Sequence, residues 1–179
     1  MTEIICAGFG GQGILTTGMM LIYAGMDQEK NVCWYPSYGS EMRGGTANCN
    51  VKISDGKIAS PYCKNVDILF TMNGPAIDKF ENSIKPGGYL FVNSSIVDDK
   101  RKYRKDIIVV KVPTMELAAK VENLKGTNIV MLGALVNATK IFEKEEFSNA
   151  MCKYFENKGK GKYNVKNVEA YEAGYNSIH

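Results

Sequence analysis

The chain has 179 residues, 45% of them hydrophobic and 23% charged, with a formal net charge of +3. That length fits a single domain over residues 1–179 with a full core, and the composition is ordinary for a soluble globular protein. So slight a positive balance, with no basic-and-aromatic groove pattern, argues against a nucleic-acid partner. The five cysteines form no C-x-x-C pair and the one histidine is the terminal His179. Zinc or iron–sulfur ligation and imidazole catalysis therefore lack their usual donors.

Taken in order, the first element is a buried strand over 3–7, carried by Ile4-Ile5-Cys6-Ala7. Gly8, Gly10 and Gly13 follow at G-x-G-x-x-G spacing, with Gly11 as a fourth glycine, and open a helix over 12–26. Residues 4–26 carry no charge, but six glycines and Gln12 divide them, so strand, turn and helix are expected rather than a membrane span. Further strands are expected at 31–36, 47–54, 66–72, 88–93 and 107–112, several rich in Val and Ile as in a sheet covered on both faces. Asn48 to Ile53 alternates instead and turns at Ser54-Asp55-Gly56-Lys57, the signature of an edge strand or antiparallel hairpin.

Helices are expected at 75–83, 114–122, 127–142, 145–157 and 165–176. Pro75 suits a first helical turn, Lys85-Pro86-Gly87-Gly88 ends that helix, and Thr114 caps the next. The run Lys100 to Lys105 reads as a solvated surface, with a binding patch as the alternative; Lys158, Lys160 and Lys162 read as a surface turn. Val165, Val168, Tyr171 and Tyr175 form one helical stripe, which either packs on the core or docks on a partner. Met19, Met20 and Met26 read as core filler, and Cys6, Cys33 and Cys49 as small buried hydrophobes. Cys63 lies in a loop, where an exposed thiol is expected. With no signal peptide apparent, reduced thiols in a cytoplasm are the expectation.

This alternation makes an α/β fold, a three-layer Rossmann-like sandwich whose mostly parallel sheet has one antiparallel excursion. Ligands of such sheets gather at the carboxyl ends of the strands. The glycine turn, the loop from Tyr38 to Asn48, and Asn73-Gly74 would all emerge there. A dinucleotide fold places an acid roughly 20 residues past its glycines, at the end of the second strand. Here that strand runs into Pro36-Ser37-Tyr38-Gly39 with no Asp or Glu at its end. A stand-alone NAD(P)-binding reductase is thus the weaker alternative. In its place stands a second glycine-bearing polar loop, about 25 residues on, which points to one shared site.

Gly8-Phe9-Gly10-Gly11-Gln12-Gly13, Trp34 through Asn48, Ser60-Pro61 and Asn128 through Leu135 together closely resemble the gamma subunit of the 2-oxoacid:ferredoxin oxidoreductases. The resemblance spans roughly residues 3 to 140. It implies a complex that converts a 2-oxoacid, coenzyme A and oxidised ferredoxin into acyl-coenzyme A, carbon dioxide and reduced ferredoxin. Thiamine diphosphate, Mg2+ and Fe–S clusters then reside in alpha and beta partners, joined in some complexes by a ferredoxin-like delta subunit. No Gly-Asp-Gly segment with a downstream Asn-Asn for thiamine diphosphate is present in this chain.

Phe9 resembles the 2-oxoglutarate or branched-chain members more than the pyruvate ones. The candidate ligand-contacting residues are Gly10, Gly11, Gln12, Gly13, Tyr38, Glu41, Arg43, Gly44, Gly45, Thr46, Asn48 and Asn128. No catalytic residue and no metal ligand is assigned. Coenzyme A carries a pyrophosphate suited to anion-friendly glycine loops and Arg43. The competing reading is a purely structural subunit, in which the glycines allow close packing and Glu41 with Arg43 tie the loop to a neighbour.

Overall fold

The computed structural model describes residues 1–38 and 46–178, Tyr38 by its backbone alone. Six strands form one sheet: β1 (Thr2–Phe9), β2 (Asn31–Tyr38), β3 (Thr46–Ser54), β4 (Val66–Thr71), β5 (Ile84–Asn93) and β6 (Ile108–Val112). Their spatial order is β2-β3-β1-β4-β5-β6. β1, β4, β5 and β6 pair in parallel, whereas β3 runs antiparallel to both β1 and β2. The alternating strand is therefore an interior strand of the sheet, not an edge.

The helices are α1 (Ile14–Asp27), α2 (Gly74–Phe80), α3 (Thr114–Lys120), α4 (Thr127–Thr139), α5 (Lys144–Asn157) and α6 (Asn164–Tyr175). Successive strand residues alternate between two cores, as the pleat requires. Ile4, Cys6, Phe70 and Phe91 face α1 and the C-terminal helices, while Ile5, Ala7, Leu69 and Leu90 face α2. Among the described residues α2 is the one helix on its side. The opposite side carries two helical layers, because α4 lies between the sheet and α6. That position explains why α4 is apolar almost all round and buried from Asn128 to Val136.

Several local expectations need correction. Thr114 is the first residue of α3 and not its cap: Pro113 precedes the helix, and the Thr114 hydroxyl donates to Asn93 Oδ1 at 2.8 Å. The Ser95 hydroxyl instead accepts from the Met115 N–H at 2.9 Å. α2 closes through a 3-10 turn at Glu81–Ser83, and Lys85 to Gly88 opens β5 with a register shift opposite Val66–Ile68. Met20 is buried but Met26 is exposed at the end of α1. Arg101 and Arg104 are more than solvated charge. Arg101 pairs with Asp78, while Arg104 chelates Asp106 and donates to the Glu81 and Ile84 carbonyls at 3.0 and 2.8 Å.

The C-terminal stripe is divided. Tyr171 is fully buried, with Phe147 stacked 5.4 Å away and Tyr175 at 6.1 Å, whereas Val165 is exposed at the start of α6. Cys6 and Cys49 are buried opposite each other on β1 and β3, and Cys33 is only half-buried. Cys63 is not an exposed thiol: it faces the carbonyls of Ile4 and Val51, and burial pushes it up to about 12. Among the described residues no helix is long and apolar enough to cross a membrane.

Candidate functional site at the carboxyl end of the sheet

The glycine turn runs from the end of β1 into α1. Gln12 N–H donates to the Phe9 carbonyl at 3.1 Å, closing the turn, and Gly13 takes the position before the helix with φ of +75°. That backbone region is costly for any residue with a Cβ. A Cβ on Gly13 would in addition stand 2.6 Å from Asn128 Nδ2. Glycine is thus required there by both conformation and packing. Among the described residues, the N–H groups of Gly11 and Gly13 have no acceptor, and they lie at the positive end of a 14-residue helix.

Gln12 spends its side chain inside the protein. Its Oε1 accepts from the Phe9 N–H at 2.7 Å and from Asn73 Nδ2 at 3.1 Å, and its Nε2 donates to the Met72 carbonyl at 3.3 Å. With its backbone N–H also engaged, Gln12 braces the turn rather than offering a donor to a ligand. Asn73, at the mouth of β4, simultaneously caps α2 by accepting from Ala76 N–H at 2.9 Å. The sequence pattern places Asn73 at this end but does not reveal this bridge, because the partners are 61 residues apart. Asn128 is buried at the start of α4, where its Nδ2 donates to the Gly13 carbonyl at 3.3 Å and to Thr17 Oγ1 at 3.2 Å. It pins α4 to the turn.

The strand ends that flank the second loop reach the same place. Tyr38 is paired with Ala47 and Thr46 with Phe9, so the β2–β3 hairpin opens beside the glycine turn. Asn48 is buried two residue pairs in from Thr46, opposite Ala7. Glu41, Arg43, Gly44 and Gly45 lie outside the described residues, as does the Tyr38 side chain. His179 is outside them too. The inserted β3 has a further consequence. It separates β2 from β1, so the end of β2 lies two strand spacings from the glycines, roughly 10 Å. A dinucleotide ribose held between neighbouring first and second strands finds no such arrangement here.

One buried ion pair anchors the opposite end of β1 and β3. Lys52 Nζ meets Glu3 Oε1 at 2.9 Å, and Glu3 Oε2 accepts from the Lys64 and Asn65 N–H groups at 2.7 and 2.9 Å. Burial acts to raise the Glu3 carboxyl, but Lys52 and these two donors outweigh it and hold the group below its ordinary value. Among the described residues no group of three or more His, Cys, Asp or Glu side chains gathers to hold a metal ion.

Residues 3–177 match the family described as pyruvate ferredoxin/flavodoxin oxidoreductase. The chain belongs to that family. It is 36% identical over 175 residues to the 2-oxoglutarate synthase subunit KorC of Methanocaldococcus jannaschii, a match covering 97% of this chain and 91% of KorC. It is 34% identical over 170 residues to the ketoisovalerate oxidoreductase subunit VorA of Methanothermobacter marburgensis, covering 94% of this chain and 34% of VorA. The chain therefore spans about a third of the length of VorA. In three dimensions it resembles the keto/oxoacid ferredoxin oxidoreductase gamma subunit of Geobacter sulfurreducens, with a TM-score of 0.82 and 28% identity, covering 98% and 97% of the two chains. The mostly parallel sheet with its antiparallel strand, flanked by helices, matches the fold of that gamma subunit.

Proposed function

We propose that this chain is the gamma subunit of a cytoplasmic 2-oxoacid:ferredoxin oxidoreductase and that its glycine turn receives the pyrophosphate of coenzyme A. The observation that carries the reading is the convergence of the turn with the mouth of the β2–β3 hairpin, in a chain whose match to KorC is nearly end to end. The N–H groups of Gly11 and Gly13, which have no acceptor among the described residues, suit an anion, and Arg43 in the adjoining hairpin connection supplies a cation. Gly10, Gly44, Gly45 and Thr46 would allow the two loops to approach the ligand closely. KorC favours 2-oxoglutarate as the substrate of the complex, and VorA makes branched-chain 2-oxoacids the second choice.

The residues present do not suit the other groups that such a complex needs. Cys6 and Cys49 are buried, and the five cysteines include no C-x-x-C pair of the kind that holds a cluster. Thiamine diphosphate, Mg2+ and Fe–S clusters are accordingly assigned to alpha and beta partners, with a ferredoxin-like delta subunit where the complex has one. Ferredoxin takes the electrons.

A purely structural role is the second reading, favoured by the internal commitments of Gln12 and Asn128. Arg43→Ala separates the two. If Arg43 pairs with a phosphate, coenzyme A affinity of the assembled complex should fall by about 2 kcal/mol, roughly thirtyfold, in a calorimetric titration. Unchanged affinity with a complex that falls apart would favour the structural reading.

A further inference from the structure

Beside the glycine turn, on the helical side of the sheet, lie two hollows that share one wall. The larger, about 600 Å3, is lined by Gly13 of the turn, Thr16 of α1, Ile129 and Phe155. The smaller, about 510 Å3, opens between Ser95, Met115 and Ala119. Leu124 lines both and is 73% exposed. Met115, 50% exposed, lines the smaller hollow and Tyr163, 51% exposed, the larger. Large apolar side chains left open along the walls of two adjoining hollows mark an interaction surface.

Lysines outnumber carboxylates around the larger hollow, which Glu122 also lines, while Glu116 lines the smaller one. Lys125, Lys160 and Lys166 line the larger hollow, and Lys158 and Lys162 flank it in the turn that leads into α6. Lys166 is matched by Glu122 and Glu169 at 3.5 and 3.0 Å. Lys125, Lys158, Lys160 and Lys162 meet no carboxylate among the described residues. An apolar seat inside an unneutralised basic rim selects an acidic partner surface with apolar anchors.

We propose that this groove docks an acidic segment of a partner subunit. Two apolar side chains of the segment fill the hollows on either side of Leu124, and its carboxylates meet Lys125 and Lys160. The proposal rests on the reading of this chain as one subunit of a complex. Because Gly13 and Thr16 form part of the larger hollow, the docked segment would also wall the glycine turn against water.

Lysine acetylation footprinting of the native complex against the purified chain tests this. Lys125 and Lys160 should lose their reactivity in the complex, and a zero-length carbodiimide should link them to partner carboxylates. Leu124→Asp, at an exposed position that leaves the core intact, should weaken association about tenfold. A complex in which both lysines react as fast as in the free chain overturns the groove and leaves the subunit reading standing. Protection that follows coenzyme A instead of the partner overturns it as well. A chain that purifies with no partner removes both.

Discussion

Replacing Gly174 with alanine is expected to destabilise the chain by about 3 kcal/mol or more, among the largest losses open to a single methyl group. α4 and α6 cross so closely that a Cβ at Gly174 would stand 1.7 Å from the Val130 carbonyl oxygen. Gly133, on the facing helix, is in the same position: its Cβ would meet the Tyr171 carbonyl oxygen at 2.0 Å. Backbone cannot yield as a flexible side chain does, so the helices must separate and the stack of Phe147 on Tyr171 must loosen with them. Thermal unfolding should show a midpoint lowered by roughly 10 °C. Gly56→Ala, whose Cβ would meet nothing closer than Ser54 Oγ at 4.0 Å, is the matched control and should be nearly silent.

Glu3→Gln should cost about 3 kcal/mol of stability at neutral pH, because it strands the Lys52 ammonium inside the sheet. The Lys52 side chain is only 6% exposed, and Glu3 is its one carboxylate partner among the described residues. Adding Lys52→Met to Glu3→Gln should recover most of the loss, since the pair removed together leaves no buried charge. The acid behaviour follows from the sign of the shift. The folded Glu3 carboxyl is held below its ordinary 4.5, so its contribution is complete above that value and fades as pH falls through the lower folded value. Glu3→Gln should therefore flatten the stability profile below about pH 4.5, as read in denaturant titrations across that range.

The periodicities of this chain disclose its elements more readily than their neighbours. Apolar runs such as Ile4 to Ala7 and Ile68 to Met72 have few polar residues because both faces of the sheet are covered, and all six strands and six helices lie near where the patterning puts them. The place of β3 is another matter. Asn50 and Lys52 look like the outward face of an edge strand, yet Lys52 is buried on Glu3 and Asn50 Oδ1 accepts from the Cys63 N–H at 3.0 Å. Alternation leaves edge strand and antiparallel hairpin open, and the structure gives a strand that is antiparallel to both neighbours inside the sheet. The loop position of Cys63 misleads for the same reason, since the segment carrying it folds back across β1 and β3.

The candidate site divides in the same way. Glycine spacing marks the turn, and the expectation that loops gather at the carboxyl end of the sheet brings Thr46 and Asn48 to it, as their pairing with Phe9 and Ala7 bears out. The bridge from Gln12 to Asn73, and the clasp of Asn128 on Gly13, depend on pairings across 61 and 115 residues. The basic-rimmed groove joins the α3–α4 connection to the start of α6, two segments that composition gives no reason to pair.

Isolation of the native chain from its own cells, followed by assay of the isolate for coenzyme A-dependent dye reduction with a series of 2-oxoacids, decides whether it works as a subunit of such an oxidoreductase. The expected result is co-isolation of thiamine diphosphate- and cluster-bearing partners, with 2-oxoglutarate driving dye reduction fastest and branched-chain 2-oxoacids next. A chain that comes down alone and inert, or a complex that turns over without coenzyme A, would contradict it.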